Sequence, residues 1–248
     1  MVAAILLLPT HVRHSQADPV SILTSILFVP WVRADGQIVP ILSQGWTLNY
    51  EAFFYVAFAL ALLHRRGLTL LAAALVLVAA LHSTIPAKWI ALQFWTDPII
   101  LEFVAGIGLA KLWLADVRLN AAARVGLAIA SLVLFVEADN LGLHALGRTV
   151  ANGIPAALLA AAFLFGDGDE RAGRIRGALI TGGDASYALY LSHTFTINLV
   201  VMAIGSSMSA WPLLAIAFAC SIAVSLGVHR LVERPLLRIL HRRFGNST

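Results

Sequence analysis

The chain has 248 residues, of which 60% are hydrophobic and 12% are charged, and its mean hydropathy is +0.86. Soluble domains usually carry about 25% charged residues, so this composition excludes an ordinary soluble domain and predicts a polytopic membrane protein. The pI is near 9.7, but the basic residues lie between apolar runs rather than in one stripe, which indicates the positive-inside bias of membrane proteins and not nucleic-acid binding.

The apolar runs, taken in chain order, predict the helices. Residues 1–9 are too few to span a bilayer and lack the basic start of a signal peptide, so they indicate part of a helix. Residues 20–29, which end at Pro30, are also too few and indicate an interfacial or re-entrant segment. Seven longer runs predict full spans at residues 46–63, 68–85, 98–114, 123–136, 149–165, 185–205 and 211–229.

The predicted fold class is therefore all-α: a polytopic membrane helix bundle with seven full transmembrane helices and a partial N-terminal one, in a single domain over residues 1–248. Residues 166–183 are predicted to be a charged loop, with Asp184 capping the helix that follows. Glu233-Arg234-Pro235 is predicted to end the last helix.

The distribution of basic residues predicts the orientation of this bundle. Of the 17 Lys and Arg residues, all but Arg13, Arg33, Lys88 and Arg148 fall on one side of the predicted membrane. Because positive charge collects on the cytoplasmic side, we expect a cytoplasmic C-terminus and an outward-facing loop over residues 11–45.

Glu51 is the first candidate for chemistry. It lies within residues 46–63, which span about 27 Å as a helix, and is roughly 8 Å below the outer boundary. An ionised carboxylate facing lipid costs at least a few kcal/mol, so Glu51 should face the bundle interior, a partner or water. Thr47 and Tyr55 lie one turn before and after it, where they could orient a general base. The structural alternative is a buried, paired carboxylate that fixes helix packing.

Other polar side chains share this predicted depth. His82, Glu102 and Asn152 lie within the first turn or two from the outside, and such a layer could line an outward-facing cavity. Trp46 suits either an interfacial anchor or a platform for a substrate. His193 lies deeper, eight residues from the cytoplasmic end of its helix, and suits either a core imidazole or a functional one. No metal-ligand spacing or glycine-rich phosphate loop appears in the sequence.

Several short motifs together resemble one known family, the membrane acyltransferase-3 family, and most of all its exopolysaccharide O-acetyltransferase branch. The motifs are Gly45-Trp46-Thr47-Leu48-Asn49-Tyr50-Glu51 with Phe53-Phe54-Tyr55, Glu102-Phe103 with Gly106, Ser186-Tyr187 with Tyr190-Leu191 and His193, and Glu233-Arg234-Pro235.

The resemblance implies a bacterial inner-membrane enzyme that moves an acyl group, usually acetyl from acetyl-CoA, onto a hydroxyl of a cell-surface polysaccharide. The family typically has about ten spans, and its first two helices carry a histidine taken to be catalytic and an Arg-x-x-Arg motif. This chain begins at the position of the third helix, so the resemblance implies an incomplete domain. His11 and Arg13 do not match those positions and receive no role.

The resulting hypothesis makes Glu51 the catalytic group, which positions or deprotonates the acceptor hydroxyl. Acyl-CoA is the co-substrate, with no bound cofactor and no metal, and the partners are the polysaccharide or a lipid-linked glycan and the bilayer. Two alternatives stay open: a transporter or flippase for a sugar or lipid-linked glycan, in which the same polar layer only binds, and a non-catalytic membrane scaffold. The expected substrate-binding residues are Trp46, Asn49, Tyr55, His82, Glu102, Asn152 and His193.

Overall fold

The computed structural model describes residues 19–32, 36–40, 43–166 and 173–244. The predicted partial helix at residues 1–9 and the basic residues Arg13, Arg33 and Arg171 lie outside these ranges. The chain divides into two compact units, Met1–Gly168 and Asp169–Thr248, which we call the first and second units.

The first unit is helical wherever it has regular structure, apart from one isolated antiparallel bridge between Val32 and Ile38 within the described residues. Its helices are α1 (Pro19–Ile26), α2 (Trp46–Ala61), α3 (Gly67–Ala80), α4 (Ile90–Trp95), α5 (Leu101–Leu114), α6 (Ala121–Val136) and α7 (Ile154–Leu164). A 3-10 turn, Pro98–Ile100, leads into α5, and a π-turn, Thr149–Gly153, leads into α7.

The core of the first unit lies between α2, α3 and α5. Tyr50 from α2, Leu71 and Leu75 from α3, and Ile100 and Ile107 at α5 form one buried cluster. The turn between α2 and α3 is tight because Gly67 lies against the Ala61 carbonyl. This packing fixes the starts of α2 and α5 relative to each other.

Side-chain hydrogen bonds fix the α6–α7 pair. Asn120 Oδ1 accepts a hydrogen bond from Ala123 N at 2.8 Å and so caps the start of α6. Ser131 Oγ, fully buried, donates to the Pro155 carbonyl at 2.8 Å. Arg124 Nε donates to the Ala162 carbonyl at 2.8 Å, which satisfies an acceptor near the end of α7.

The second unit contains α8 (Gly173–Asp184), α9 (Ser186–Ile204), α10 (Ala210–Val228) and α11 (Arg234–Phe244). The contact between α9 and α10 is made by small buried residues, which let two apolar helices approach closely. A π-turn, His229–Glu233, joins α10 to α11 without a break. The small residues are Ala188, Thr196, Ala217, Ser221 and Ser225.

The predicted helical class is confirmed for the described residues, and each of the seven predicted spans falls on helix. Among those residues, Ser186–Ile204 and Ala210–Leu240 are long and apolar enough to cross a membrane. The apolar helices Gly67–Ala80, Ala121–Val136 and Thr149–Leu164 are shorter than 18 residues. The number of spans is therefore not confirmed and stays a prediction.

Three local predictions were wrong. The charged loop predicted at residues 166–183 contains α8, and Asp184 ends that helix rather than capping the next one, which begins after Ala185 with no side-chain cap. Glu233-Arg234-Pro235 does not stop the last helix. Proline lacks an N–H and clashes with the carbonyl four residues earlier in an α-helix, but here the preceding π-turn takes up that change and the helix continues.

Candidate polar site in the first unit

One polar cluster in the first unit is built around Arg148, the residue before the Thr149–Gly153 π-turn. Its Cζ lies 5.2 Å from the centroid of the Trp46 ring, at the start of α2. Its terminal NH1 lies 3.4 Å from Glu102 Oε1, in the first turn of α5. One guanidinium thus contacts an indole face and a carboxylate, and it brings the starts of three helical segments together.

Tyr50 is a buried residue that packs against this cluster through Trp46. Its ring meets Trp46 edge-on at 5.9 Å between centroids and stacks on Phe94 at 4.1 Å. The phenol is buried, and the charges of Asp97 and Arg148 lie within electrostatic reach of it. The Asp97 carboxylate is held in place because its Oδ1 accepts a hydrogen bond from Ile99 N at 2.9 Å.

His82 is bound to the segment that follows α4. Its Nδ1 forms a hydrogen bond with Thr96 Oγ1 at 3.0 Å, and Thr96 is the buried residue before Asp97. Gln93 Nε2 donates to the Ile85 carbonyl in the same region. These bonds connect the end of α3 to the segment that carries Asp97.

Asn152 lies in the π-turn that contacts Glu102. The contact is made by its neighbour Gly153, where an added Cβ would lie 3.1 Å from Glu102 Cγ and 3.3 Å from Glu102 Oε1. A larger residue would push the carboxylate aside, so the glycine lets the π-turn approach Glu102. Asn152 itself is partly buried.

Glu51 is partly buried, and its carboxylate has no hydrogen-bond or ion-pair partner among the residues that the structure describes. The hydroxyl of Thr47, expected to orient it, donates to the Gln44 carbonyl at 3.3 Å. Glu51 lies one turn before Phe54, which stacks on Phe103 at 4.3 Å between centroids. Glu51 therefore lies one turn along α2 from a contact between α2 and α5.

Asn49 is only 1% exposed, and its side-chain Oδ1 has no hydrogen-bond partner in the described part of the chain. Its backbone carbonyl accepts a hydrogen bond from Trp95 Nε1 at 3.4 Å. Tyr55, one turn after Glu51, is 63% exposed on the outer face of α2. Asn49 and Tyr55 thus occupy opposite environments on one helix.

His193 belongs to the second unit. Its Nδ1 lies 2.8 Å from the Tyr190 carbonyl and 3.1 Å from the Leu189 carbonyl. Because carbonyl oxygens only accept, Nδ1 carries a proton and donates to them. Its ring also lies near that of Tyr190, with 6.2 Å between centroids.

Sequence reasoning missed Arg148, Asp97 and Thr96. Arg148 was counted only as a charge in an outer connection, although it lies at the same predicted depth as Glu102 and has the opposite charge. Their opposite charges at one depth are the feature of the sequence that could have predicted the Arg148–Glu102 ion pair. Asp97 and Thr96 fall in the connection between two predicted spans, and a sequence alone gives little information on which residues of a connection meet a helix end.

The cluster combines an aromatic face, a guanidinium and a carboxylate in a partly exposed position. Such a set can pack against the apolar face of a polyhydroxylated ligand while its charged groups hydrogen-bond to hydroxyls. Glu51, five residues after Trp46 in α2, is a carboxylate with no partner among the described residues and is free to accept a proton.

Comparisons with known proteins agree on one family. The sequence matches the acyltransferase domain model Acyl_transf_3 over residues 1–230. It is 34% identical over 221 residues to the exopolysaccharide production protein ExoZ of Rhizobium meliloti (strain 1021), and this alignment covers 88% of the chain and 69% of that protein. No solved structure matches the chain.

Proposed function

This chain belongs to the acyltransferase-3 family, and from that premise we propose that it transfers an acyl group to a hydroxyl of an exopolysaccharide. The name of its relative, an exopolysaccharide production protein, supports this class of acceptor. The observation within the structure that supports it best is the Arg148 cluster, because an indole face beside a guanidinium–carboxylate pair suits a sugar.

The proposed donor is acyl-CoA, most simply acetyl-CoA. The acceptor oxygen attacks the thioester carbonyl carbon, so a C–O bond forms and the C–S bond breaks. Glu51 takes the hydroxyl proton, and the CoA thiolate leaves and takes up a proton, which restores the carboxylate. A positioned general base of this kind contributes about 10²–10⁴-fold to a rate.

The two acids of the first unit are suited to different roles. Glu102 is already engaged by Arg148, so its carboxylate is suited to holding the acceptor rather than to taking a proton. Glu51 has no such partner among the described residues. This difference supports Glu51 as the base.

The remaining predicted residues are proposed to bind substrate. Trp46 would pack against the sugar ring, and the amide of Asn152 would bond its hydroxyls. Asn49, which is buried, keeps the substrate-binding role expected from the sequence. Tyr55, His82 and His193 keep the substrate-binding role expected from the sequence.

The proposed location is the bacterial inner membrane. Family membership and the two long apolar helices, Ser186–Ile204 and Ala210–Leu240, support a membrane protein. The asymmetry of basic residues in the sequence supports seven spans and a cytoplasmic C-terminus.

The test is transfer of radiolabel from acetyl-CoA to polysaccharide in membrane vesicles that contain the chain. Glu51→Gln keeps the size of the side chain but removes the base, so we expect transfer to fall by about 100-fold or more. Glu137→Gln is the matched control, because Glu137 is a partly buried acid, as Glu51 is, and its side chain bonds only Asn140 among the described residues. We expect Glu137→Gln to retain activity.

The same vesicles separate the alternatives. Unchanged transfer by Glu51→Gln would remove the catalytic role from Glu51. Absence of transfer by the wild-type chain, with uptake of labelled sugar that needs no acyl-CoA, would support a transporter or flippase instead.

A further inference from the structure

A second polar site lies in the second unit, at the π-turn His229–Glu233. The His229 side chain is 4% exposed and both of its ring nitrogens are engaged. Nδ1 lies 3.0 Å from Glu233 Oε2, and Arg234 Nε donates to Nε2 at 3.1 Å. An imidazole buried to this degree holds an arginine that is itself 45% exposed.

The π-turn is what makes this contact possible. In an α-helix with about 3.6 residues per turn, residues five apart point about 140° away from each other. Here Arg234 N donates to the His229 carbonyl, five residues earlier, and this wider turn brings both side chains to one side of the helix. Single π-turns within α-helices occur frequently at functional sites.

The hydrogen-bond directions determine which part of Arg234 is available. Arg234 Nε can only donate, so His229 Nε2 accepts, and the imidazole is neutral with its proton on Nδ1, donated to Glu233. The ring stands between Glu233 and Arg234. Since Nε is used, the outer edge of the guanidinium, formed by its two terminal NH2 groups, stays available. Among the described residues, the acid that pairs with that edge is Asp184, with Oδ2 4.0 Å from NH2.

Two more arginines flank this one at four-residue spacing. Arg230 and Arg238 are exposed, and neither pairs with an acid among the described residues. Four-residue spacing keeps side chains on neighbouring parts of one face. Arg234 is thus at the centre of a positive row, and among the three it alone is held by a buried group.

We propose that Arg234, positioned by His229, is a binding site for phosphate groups. The outer edge of a guanidinium matches two phosphate oxygens in a bidentate arrangement, and His229 reduces the freedom that a long side chain would lose on binding. The phosphate can come from a soluble diphosphate, such as the CoA part of the donor, or from an anionic lipid headgroup. Only the first source rests on the proposed function; the site itself does not.

The Asp184 carboxylate lies beside the edge of Arg234 that is proposed to bind phosphate. This carboxylate competes with an incoming anion for the NH2 edge of Arg234. We therefore expect Asp184→Asn to strengthen anion binding by a few-fold. If the role of Arg234 were to hold α8 through Asp184, the same substitution would loosen the second unit and would not improve binding.

The experiment measures binding to the full chain, purified in an uncharged detergent. Isothermal titration with inorganic pyrophosphate covers the soluble source, and native mass spectrometry with phosphatidylglycerol against phosphatidylcholine covers the lipid source. We expect Arg234→Gln to weaken binding of at least one probe by about tenfold or more. Arg238→Gln removes the same charge from a residue that no buried group holds, and we expect less than about a twofold change.

Arg234→Lys and His229→Gln test the geometry while thermal melts confirm folding. A lysine keeps the charge without the planar edge, so we expect it to bind more weakly than arginine. His229→Gln removes the imidazole that positions Arg234, so we expect it to weaken phosphate binding although Arg234 is still present. The proposal is overturned if neither pyrophosphate nor phosphatidylglycerol binds the wild-type chain, or if Arg234→Gln and Arg238→Gln weaken binding equally.

Discussion

Arg148 joins Trp46 to Glu102, yet neither contact is strong enough to hold the fold. A cation–π contact at an exposed site contributes about 0.5–1 kcal/mol, and an exposed ion pair about 0–1 kcal/mol. The buried cluster between α2, α3 and α5 supplies many more packing contacts, which are what holds apolar helices together in a bilayer. The contribution of Arg148 should therefore be seen in ligand binding rather than in stability.

Arg148→Ala tests this at the residue scale. We expect a loss of about 1 kcal/mol or less in stability, measured by thermal unfolding in detergent. Because hydrogen bonds to charged groups contribute about 1.5–3 kcal/mol, acyl transfer to polysaccharide should fall by about tenfold to a hundredfold. Arg118→Ala, which removes an exposed arginine paired with its near neighbour Asp116, should leave transfer unchanged. Equal loss in both variants would argue against a site at Arg148.

For Asn49 we expect the side chain to lower stability while it supports activity. Its Oδ1 is a buried acceptor with no partner among the described residues, a situation that costs about 1–3 kcal/mol. Asn49→Leu, which keeps the number and branching of the side-chain heavy atoms, should raise the melting temperature while lowering transfer, if the amide serves the acceptor. Ser131→Ala is the contrast, because the Ser131 hydroxyl is satisfied by Pro155, and its loss should lower the melting temperature. A lower melting temperature for Asn49→Leu would contradict the account.

The polar residues that sequence reasoning could find were those with an energetic signature of their own. Glu51 and Glu102 stand out as acids in apolar runs, whereas Arg148 looks like any other loop charge until its neighbours are known. Depth along a helix follows from the sequence, but which helices meet does not. The joining residue of the cluster was therefore missed while two of its partners, Trp46 and Glu102, were selected.

At the scale of elements, two π-turns follow one pattern. Thr149–Gly153 and His229–Glu233 each end two residues before a proline, Pro155 and Pro235. In each turn a backbone N–H bonds the carbonyl five residues earlier, so the helix adjusts just before the residue that lacks an N–H. Each turn also brings a charged side chain into a polar cluster. The pattern of apolar residues does not reveal the extra residue of a π-turn. The sequence therefore predicts a helix end at Pro235, where the helix continues.

The α2–α3 turn makes the sharpest prediction at this scale. A Cβ at Gly67 would lie 1.6 Å from the Ala61 carbonyl oxygen, and the clash is with backbone, which cannot move without opening the turn. We expect Gly67→Ala to abolish recovery of monodisperse protein, measured by size-exclusion chromatography of a fluorescent fusion. Gly126→Ala in α6, where an added Cβ meets nothing within 4 Å, should be recovered normally or better, since alanine favours helix by about 1 kcal/mol. Normal recovery of Gly67→Ala would show that the turn is wider than described.

At the scale of the whole molecule, the sequence predicted the positions of the helices well but could not determine how many of them cross the membrane. A long run of apolar residues predicts a helix, and all seven predicted runs fall on helix. Among the described residues of the first unit, the longest α-helices are α2 and α6, with 16 residues each. They reach about 24 Å, short of a hydrocarbon core of about 30 Å. A short helix can still span by local thinning of the bilayer, so length alone does not decide.

Whether a helix spans is decided by whether the connections before and after it lie on opposite sides of the membrane. Single-cysteine labelling measures the side of each connection. With Cys220→Ser as background, Ser83→Cys and Asp139→Cys should react with a membrane-impermeant maleimide added outside intact spheroplasts. Arg65→Cys and Asp116→Cys should react only after permeabilisation, because the excess of basic residues predicts that their connections lie in the cytoplasm. All four positions are exposed, so failure to react reports sidedness and not burial. Residues 65 and 83 bracket α3, residues 83 and 116 bracket the short α4 together with α5, and residues 116 and 139 bracket α6. The same labelling at both members of a pair would show that the chain between them does not cross the membrane.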